Sequence, residues 1–186
     1  PVQGGTKIKE NIINILSNSH YFENTNPYIV HRIDKDTSGV LIVAKNRKTA
    51  QQLTSLFRIR KIHKTYLALS FGQLDKKKDT IDNNLIRYEK NKKILERATT
   101  HYEIIDSNSS IIFFKLKPIT GRKHQLRKQL FNSGNSILGD TKYRHSNTKN
   151  KCKNLMLHSY KIQFMIDEKK FTYQAELPNY FKSFLL

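Results

Sequence analysis

The segment HRIDKDTSGVLIVA, residues 31–44, sets a run of polar side chains directly against a run of apolar ones. The five apolar residues Val40 to Ala44 are too few for a helix, which needs about ten or more, and between Gly39 and Lys45 they fit a short strand covered on both faces. A loop that leads into such a strand is held at its far end. It offers an acid (Asp34), a base (Arg32), an imidazole (His31), two hydroxyls (Thr37, Ser38) and a glycine that permits close backbone approach. Taken alone, the same residues are ordinary turn chemistry, because Asp, Thr and Ser bond nearby backbone groups. Their meaning depends on what the rest of the chain brings to them.

Upstream, Thr6 is a candidate N-cap for an amphipathic helix whose Ile8, Ile12, Ile15 and Leu16 pack on a core. Downstream, Asn46 caps a helix with Ala50, Leu53, Leu56 and Phe57 inward and Arg47, Lys48, Arg58 and Arg60 outward. His63 to Phe71 reads as a strand ending at Gly72, with Tyr66 on the face of the small residues Ala68 and Ser70, where it can stand over a cavity. Residues 73–97 are charged and weakly patterned, an insertion with one or two short strands. Thr99–Ile105 and Ile111–Lys117 form a hairpin around residues 106–109. Thr120 caps a helix over Arg122–Phe131 that ends at Gly134; Leu126 and Leu130 lie on its buried stripe and Arg127 on the adjoining one, where it requires an acidic partner or a phosphate. A second hairpin, Leu155–Met165 with Lys170–Leu177, precedes a short helix opened by Pro178. Strands and helices mix without βαβ alternation, so the class is α+β, a mixed, largely antiparallel sheet flanked by helices.

With 34 Lys and Arg against 15 Asp and Glu, the 186-residue chain carries a formal charge of +19, which favours a polyanionic partner and resists self-association. Base-composition bias also enriches Lys and Asn, so runs such as Lys76-Lys77-Lys78 read as solvated surface, and the arginines inside structured segments carry the weight. The single cysteine, Cys152, excludes an intrachain disulfide and suits a reducing cytoplasm. No apolar run reaches membrane-spanning length. The seven histidines are scattered with no cysteine partner at ligand spacing, and no Walker or GxGxxG loop occurs, so neither metal nor nucleotide cofactor is expected.

Five segments in order, HRIDKDTSGVLIVAK (31–45), KTYLALSFG (64–72), PITGRKHQLRKQL (118–130), ILGDTKY (137–143) and LMLHSYKIQF (155–164), together resemble the RluA-type pseudouridine synthases, especially those that modify large-subunit ribosomal RNA. The resemblance implies the α+β pseudouridine synthase fold around a catalytic cleft, with no cofactor and no metal. It implies Asp34 as the catalytic aspartate, Tyr66 as the active-site tyrosine and Arg127 as the arginine paired with the aspartate. It gives Arg32 the task of flipping the target uridine; by their charge alone, Arg47, Arg58, Arg122 and Lys123 are candidates for phosphate contacts. Lys123, Gln129 and Asn135-Ser136 depart from the residues usual at those places. The strand that usually precedes the first segment is absent, with Pro1 as its last residue, so residues 1–186 are expected to be one catalytic domain lacking an N-terminal portion.

The implied activity is uridine isomerisation by base flipping, with 23S ribosomal RNA as substrate and transfer RNA as the alternative, in a cytoplasmic monomer without an obligate protein partner. Asp34 could attack C6 of the uracil or act at C1′ of the ribose. An inactive RNA-binding module for ribosome assembly and a nuclease are the competing classes. The first would not need to keep Asp34, Tyr66 and Arg127, and the second usually calls for metal carboxylates or paired histidines.

Overall fold

The alternating apolar residues of 63–71 make the strand on which the sheet is built. This computed structural model describes residues 11–23, 25–145 and 152–184. β4 (His63–Phe71) pairs antiparallel on one side with β7 (Ile111–Pro118) and on the other with β8 (Leu157–Ile166). Its residues Leu67 to Ser70 are all buried, as a strand covered on both faces requires. Beyond β7 the sheet continues antiparallel through β6 (Lys92–Ser107) to β5 (Lys78–Glu89). Beyond β8 lie β2 (Ser38–Gly39), the one parallel neighbour, and β9 (Lys169–Gln174). A separate antiparallel pair joins β1 (Tyr28–Ile29) to β3 (Val43–Ala44). The α+β class with a largely antiparallel sheet is as the sequence indicates.

Two apolar clusters hold these elements. The larger includes Leu69, Phe114, Leu116 and Phe181, and α3 (Gln125–Asn132) joins it through Leu126 and Leu130. The smaller, around Val30, Leu53, Ile62 and Ile162, lies beneath α2 (Arg47–Arg58), which Asn46 caps by accepting from Thr49 N. A short helix, Asn179–Lys182, follows Pro178 as expected and buries Phe181.

Four expectations change. The first helix spans Ile12–Ser17 under an Asn11 cap and buries no residue, with Ile15 63% exposed; Thr6 and Ile8 lie outside the described residues. A helix of six residues offers too narrow a face to be held by packing, and Phe22 in the next turn is the side chain that goes inside. Val40–Ala44 is not one strand: Ser38-Gly39 pairs with β8, the chain bends, and only Val43-Ala44 pairs again. Val40 and Ile42 pack on the smaller cluster, so the run is apolar because of where it leads. The strands expected within residues 73–97 are long rather than short, for β5 and β6 run 12 and 16 residues through a turn at Lys90 and Asn91, both at positive φ. α3 begins at Gln125, not Arg122. Thr120 Oγ1 instead accepts from Thr99 N and donates to Gln125 Oε1, which also accepts from Arg122 N, so Arg122 and Lys123 belong to a loop.

The loop 31–39 is pinned at both ends. His31 Nε2 accepts from Ile42 N at 2.8 Å, and its ring stacks on Phe57. At the other end Ser38 Oγ bonds His158 Nδ1 at 2.9 Å and Val40 N donates to Ser159 O at 2.8 Å. Gly39 sits at φ +104 so close to β8 that a Cβ would collide with the Ser159 carbonyl oxygen. Gly134, after α3, is at φ +81 with nothing within 4 Å of a Cβ. Gly134→Ala is therefore expected to cost about 1–2 kcal/mol from backbone strain alone. Gly39→Ala adds a clash of roughly 1–3 kcal/mol to the same strain, and urea melts of the two variants measure the difference.

Burial, and after it Lys64, lowers the His31 pKa from 6.5 to about 4. The fold thus favours neutral His31, and this stability is present above pH 6.5 and lost as pH falls toward 4. The loss is expected to be about 3 kcal/mol, read as a falling urea midpoint that flattens in His31→Gln.

Candidate active site

Asp34 stands at the centre of this pinned loop, its carbonyl accepting from Thr37 N at 3.0 Å to close a turn that holds the carboxylate at a cavity wall. The cavity has a volume of about 620 Å³, well within the range of small-molecule sites. Asp34 is the one carboxylate among the described residues that line it, whereas Arg32, Arg58, Arg60, Lys64, Arg122 and Lys123 all do. Such a cavity attracts an anion while keeping a single acidic group for chemistry.

Behind Asp34 lies Arg127, 6% exposed on the inner side of α3 rather than at the edge of the core. Its Nη1 is 3.6 Å from Asp34 Oδ2, an ion pair longer than a hydrogen bond. The short bonds go to Asp140, from Nε to Oδ2 at 2.7 Å and from Nη2 to Oδ1 at 2.8 Å. The Asp140 carboxylate also accepts from Lys142 N and Tyr143 N. Burial disfavours both charges, yet the Asp140 bonds raise the Arg127 pKa, and Arg127 with the two backbone donors lowers that of Asp140. Tyr143 adds its ring face 5.2 Å from the guanidinium carbon.

His124, at φ 53 just before α3, places Nε2 3.8 Å from Asp34 Oδ1, and its Nδ1 shares a 2.9 Å hydrogen bond with Tyr143 Oη. Burial lowers its pKa, Asp34 works the other way, and Arg127 and two lysines add to the lowering, which keeps the imidazole neutral at pH 7. Tyr66 enters from β4, lining the cavity near the centre of the sheet. Burial raises its phenol to about 12; Ser159 opposes the shift and the Asp34 charge adds to it. The phenol is therefore an uncharged ring with a hydroxyl. Lys64, two residues earlier on the same strand, also faces the cavity, and burial lowers its pKa.

The three residues expected to carry the chemistry thus converge, Asp34 and Tyr66 at the cavity wall and Arg127 behind Asp34. Of the expected RNA contacts, Arg32, Arg58, Arg122 and Lys123 line the cavity, and Arg47, in the first turn of α2, does not. Arg122 is partly engaged, donating from Nε to Arg97 O at 3.1 Å with Nη1 3.4 Å from Glu96. Asp140 and Lys64 were not singled out beforehand, and Arg60 was read only as an outward charge, although a buried arginine demands a partner and Asp140 stands in the ILGD segment. Among the described residues no group of three or more His, Cys, Asp or Glu is placed to hold a metal, and no helix is long and apolar enough to cross a membrane.

Residues 1–132 match the family described as RNA pseudouridylate synthase. A ribosomal large subunit pseudouridine synthase D from Borreliella burgdorferi is 36% identical over 171 residues, covering 88% of this chain and 52% of that protein. A ribosomal large subunit pseudouridine synthase C from Rickettsia prowazekii is 33% identical over 193 residues, covering 96% and 62%. The chain thus spans between half and two thirds of these relatives' length. The solved structure of human RNA pseudouridylate synthase domain containing 4 superposes with a TM-score of 0.80 at 25% identity, covering 98% of this chain and 83% of that one. By the family match, the identities and the shared fold, this chain belongs to the RNA pseudouridylate synthase family.

Proposed function

We propose that the chain is a catalytic unit that isomerises uridine to pseudouridine in large-subunit ribosomal RNA, with Asp34 as the group that acts on the nucleotide. The observation that carries this reading is the single carboxylate of a cationic cavity, set between a buried arginine and a neutral phenol. The names of the Borreliella and Rickettsia relatives favour ribosomal over transfer RNA. The +19 charge favours a monomer on RNA, and a cytoplasmic setting agrees with a ribosomal RNA substrate.

Isomerisation requires the C1′–N1 bond to break, the uracil to turn while held, and a C5–C1′ bond to form, with the C5 proton lost and the freed N1 protonated. The Asp34 carboxylate, 3.6 Å from Arg127 Nη1 and not locked to it by a short bond, is the nucleophile placed to form a covalent bond, at C6 of the base or at C1′ of the ribose. Tyr66, held neutral, offers a flat face for the base and a hydroxyl donor; as an uncharged phenol it accepts no proton before the base is bound. His124 is the neutral imidazole beside Asp34, close enough to serve the proton transfer that Tyr66 is unsuited to start. Unstacking the target costs a few kcal/mol, and Arg32, exposed at the cavity mouth, provides a planar cation to take the vacated place in the RNA.

Tritium release from RNA labelled at C5 of uridine tests the reading directly, because a synthase liberates that hydrogen whereas a nuclease or an inert binder does not. Asp34→Asn is expected to abolish release, by a factor of about 1,000 or more, while RNA affinity and melting temperature stay near those of the parent. Substantial turnover in that variant would remove Asp34 from its role. Asp140→Asn is expected to lower stability by about 3 kcal/mol, by leaving Arg127 buried with weaker compensation, and to reduce release in samples verified as folded. Unaltered release there would show that Asp140 does not set the position of Arg127.

A further inference from the structure

The extension of β5 and β6 beyond the rest of the sheet has a chemically sorted surface. Across the pair, Ile86 faces Leu95, Tyr88 faces Lys93 and Asn84 faces Arg97, and all six side chains are exposed. Tyr88 is 72% exposed, beside Leu95 at 59% and Ile86 at 41%. The alternate residues turn the other way: Leu85 is buried, and Glu89 and Glu96 both lie against Arg87, at 3.0 and 3.7 Å. The acids of this tip therefore occupy the face opposite Tyr88. On the Tyr88 face the nearest carboxylate is Asp82, already bound to Arg97 through two hydrogen bonds. Lys90, Lys92 and Lys93 add exposed cations at the turn.

The extension is braced, and it adjoins the cavity. Gln129 Nε2 donates to Ile81 O, Asn83 Oδ1 and Ala98 O, and Lys128 Nζ donates to Ile86 O, so α3 holds both strands. Along the edge of β6 runs the cavity-wall loop, with Ile119 N and Thr120 N donating to Thr99 O and Arg122 Nε to Arg97 O. The cavity wall is thus joined directly to the strand that carries the extension.

We propose that the Tyr88 face of the β5–β6 extension is a second RNA-contact surface, on which a base flanking the target stacks on Tyr88 while Lys90 and Lys93 meet the adjoining phosphates. This deepens the reading above and rests on it. An aromatic ring between aliphatic side chains, with cations and no free acid, fits a base and its phosphates, because every base has a π-face and the charge falls on the backbone. Solvated charge from a lysine-rich composition accounts for the lysines but not for three exposed apolar residues set side by side on one face. A braced strand pair also loses little freedom on binding.

The test uses the full chain and an in vitro transcript of bacterial large-subunit ribosomal RNA. Tyr88→Ala is expected to raise Kd roughly 5- to 150-fold, the range of one stacked base, with Tyr88→Phe near the parent and all three melting temperatures alike. Ultraviolet cross-linking is expected to join the transcript to the peptide that contains Tyr88. Unchanged affinity in Tyr88→Ala would overturn the proposal. So would a concentration-dependent dimer that Tyr88→Ala dissociates, since the face would then belong to a second copy. Tritium release by the parent protein separates the two levels. Release with no effect of Tyr88→Ala leaves the isomerase reading and removes this surface; binding through Tyr88 without release keeps the surface and removes the isomerase reading.

Discussion

A buried guanidinium shared by two unequal carboxylates is the constraint on which the site depends. Asp140 takes two short bonds from Arg127 and is itself saturated by backbone donors; Asp34 receives the remaining face of the cation at 3.6 Å. The inner pair solves the cost of burying charge, since each ion is desolvated only in the presence of its partner. What is left for Asp34 is a field rather than a tight bond. A carboxylate locked in a two-pronged pair would have to break it before bonding anything else, whereas both Asp34 oxygens are held only at longer range, 3.6 Å from Arg127 and 3.8 Å from His124. Asp140 thus holds the arginine in place and leaves the Asp34 oxygens without a short bond to it.

The second constraint is spatial, and β8 imposes it. His158 and Ser159 are adjacent residues, yet between them they touch Ser38, Gly39 and Val40 from the Asp34 loop and lie opposite Leu67 and Tyr66 on β4. The register of β4 against β8 shifts between Thr65 and Tyr66, where the tyrosine turns toward the cavity. One dipeptide therefore sets the distance between the acid and the phenol, although these two residues are 32 apart in the chain, 34 against 66. The lack of a side chain at Gly39 lets the loop approach β8 closely enough for this to work.

How much of this was legible follows from what each residue's neighbours in sequence can disclose. The ordered segments place Asp34, Tyr66 and Arg127 in one site by resemblance, and burial alone requires a partner for Arg127; neither says that the partner is Asp140 rather than Asp34. The start of α3 was misplaced because its cap is made at a distance. Gln125 reaches back to Arg122 and Thr120 and across to Thr99 and Thr100, contacts that appear only when β6 is alongside. The length of the β5–β6 pair was not foreseen because Leu85-Ile86 and Ile94-Leu95 put apolar residues on both faces, which erases the two-residue period of a half-buried strand. Val40–Ala44 failed in the opposite way, as an apolar run that serves two attachments and is continuous only in sequence.

The blurred alternation and the exposed Tyr88 face have the same origin. A strand pair with one face on α3 and the other in water would cost nothing by placing polar residues at 86, 88 and 95, and Thr80, Asp82 and Asn84, nearer the base of β5 on the same face, are polar. Apolar surface persists only toward the tip, where the carboxylates have also moved to the opposite face. Two independent properties, hydrophobicity and sign of charge, therefore change together on one face and over the same few residues. Base-composition bias acts along the sequence without regard to strand parity, so it cannot sort alternate residues; a selective pressure that acts on one surface can.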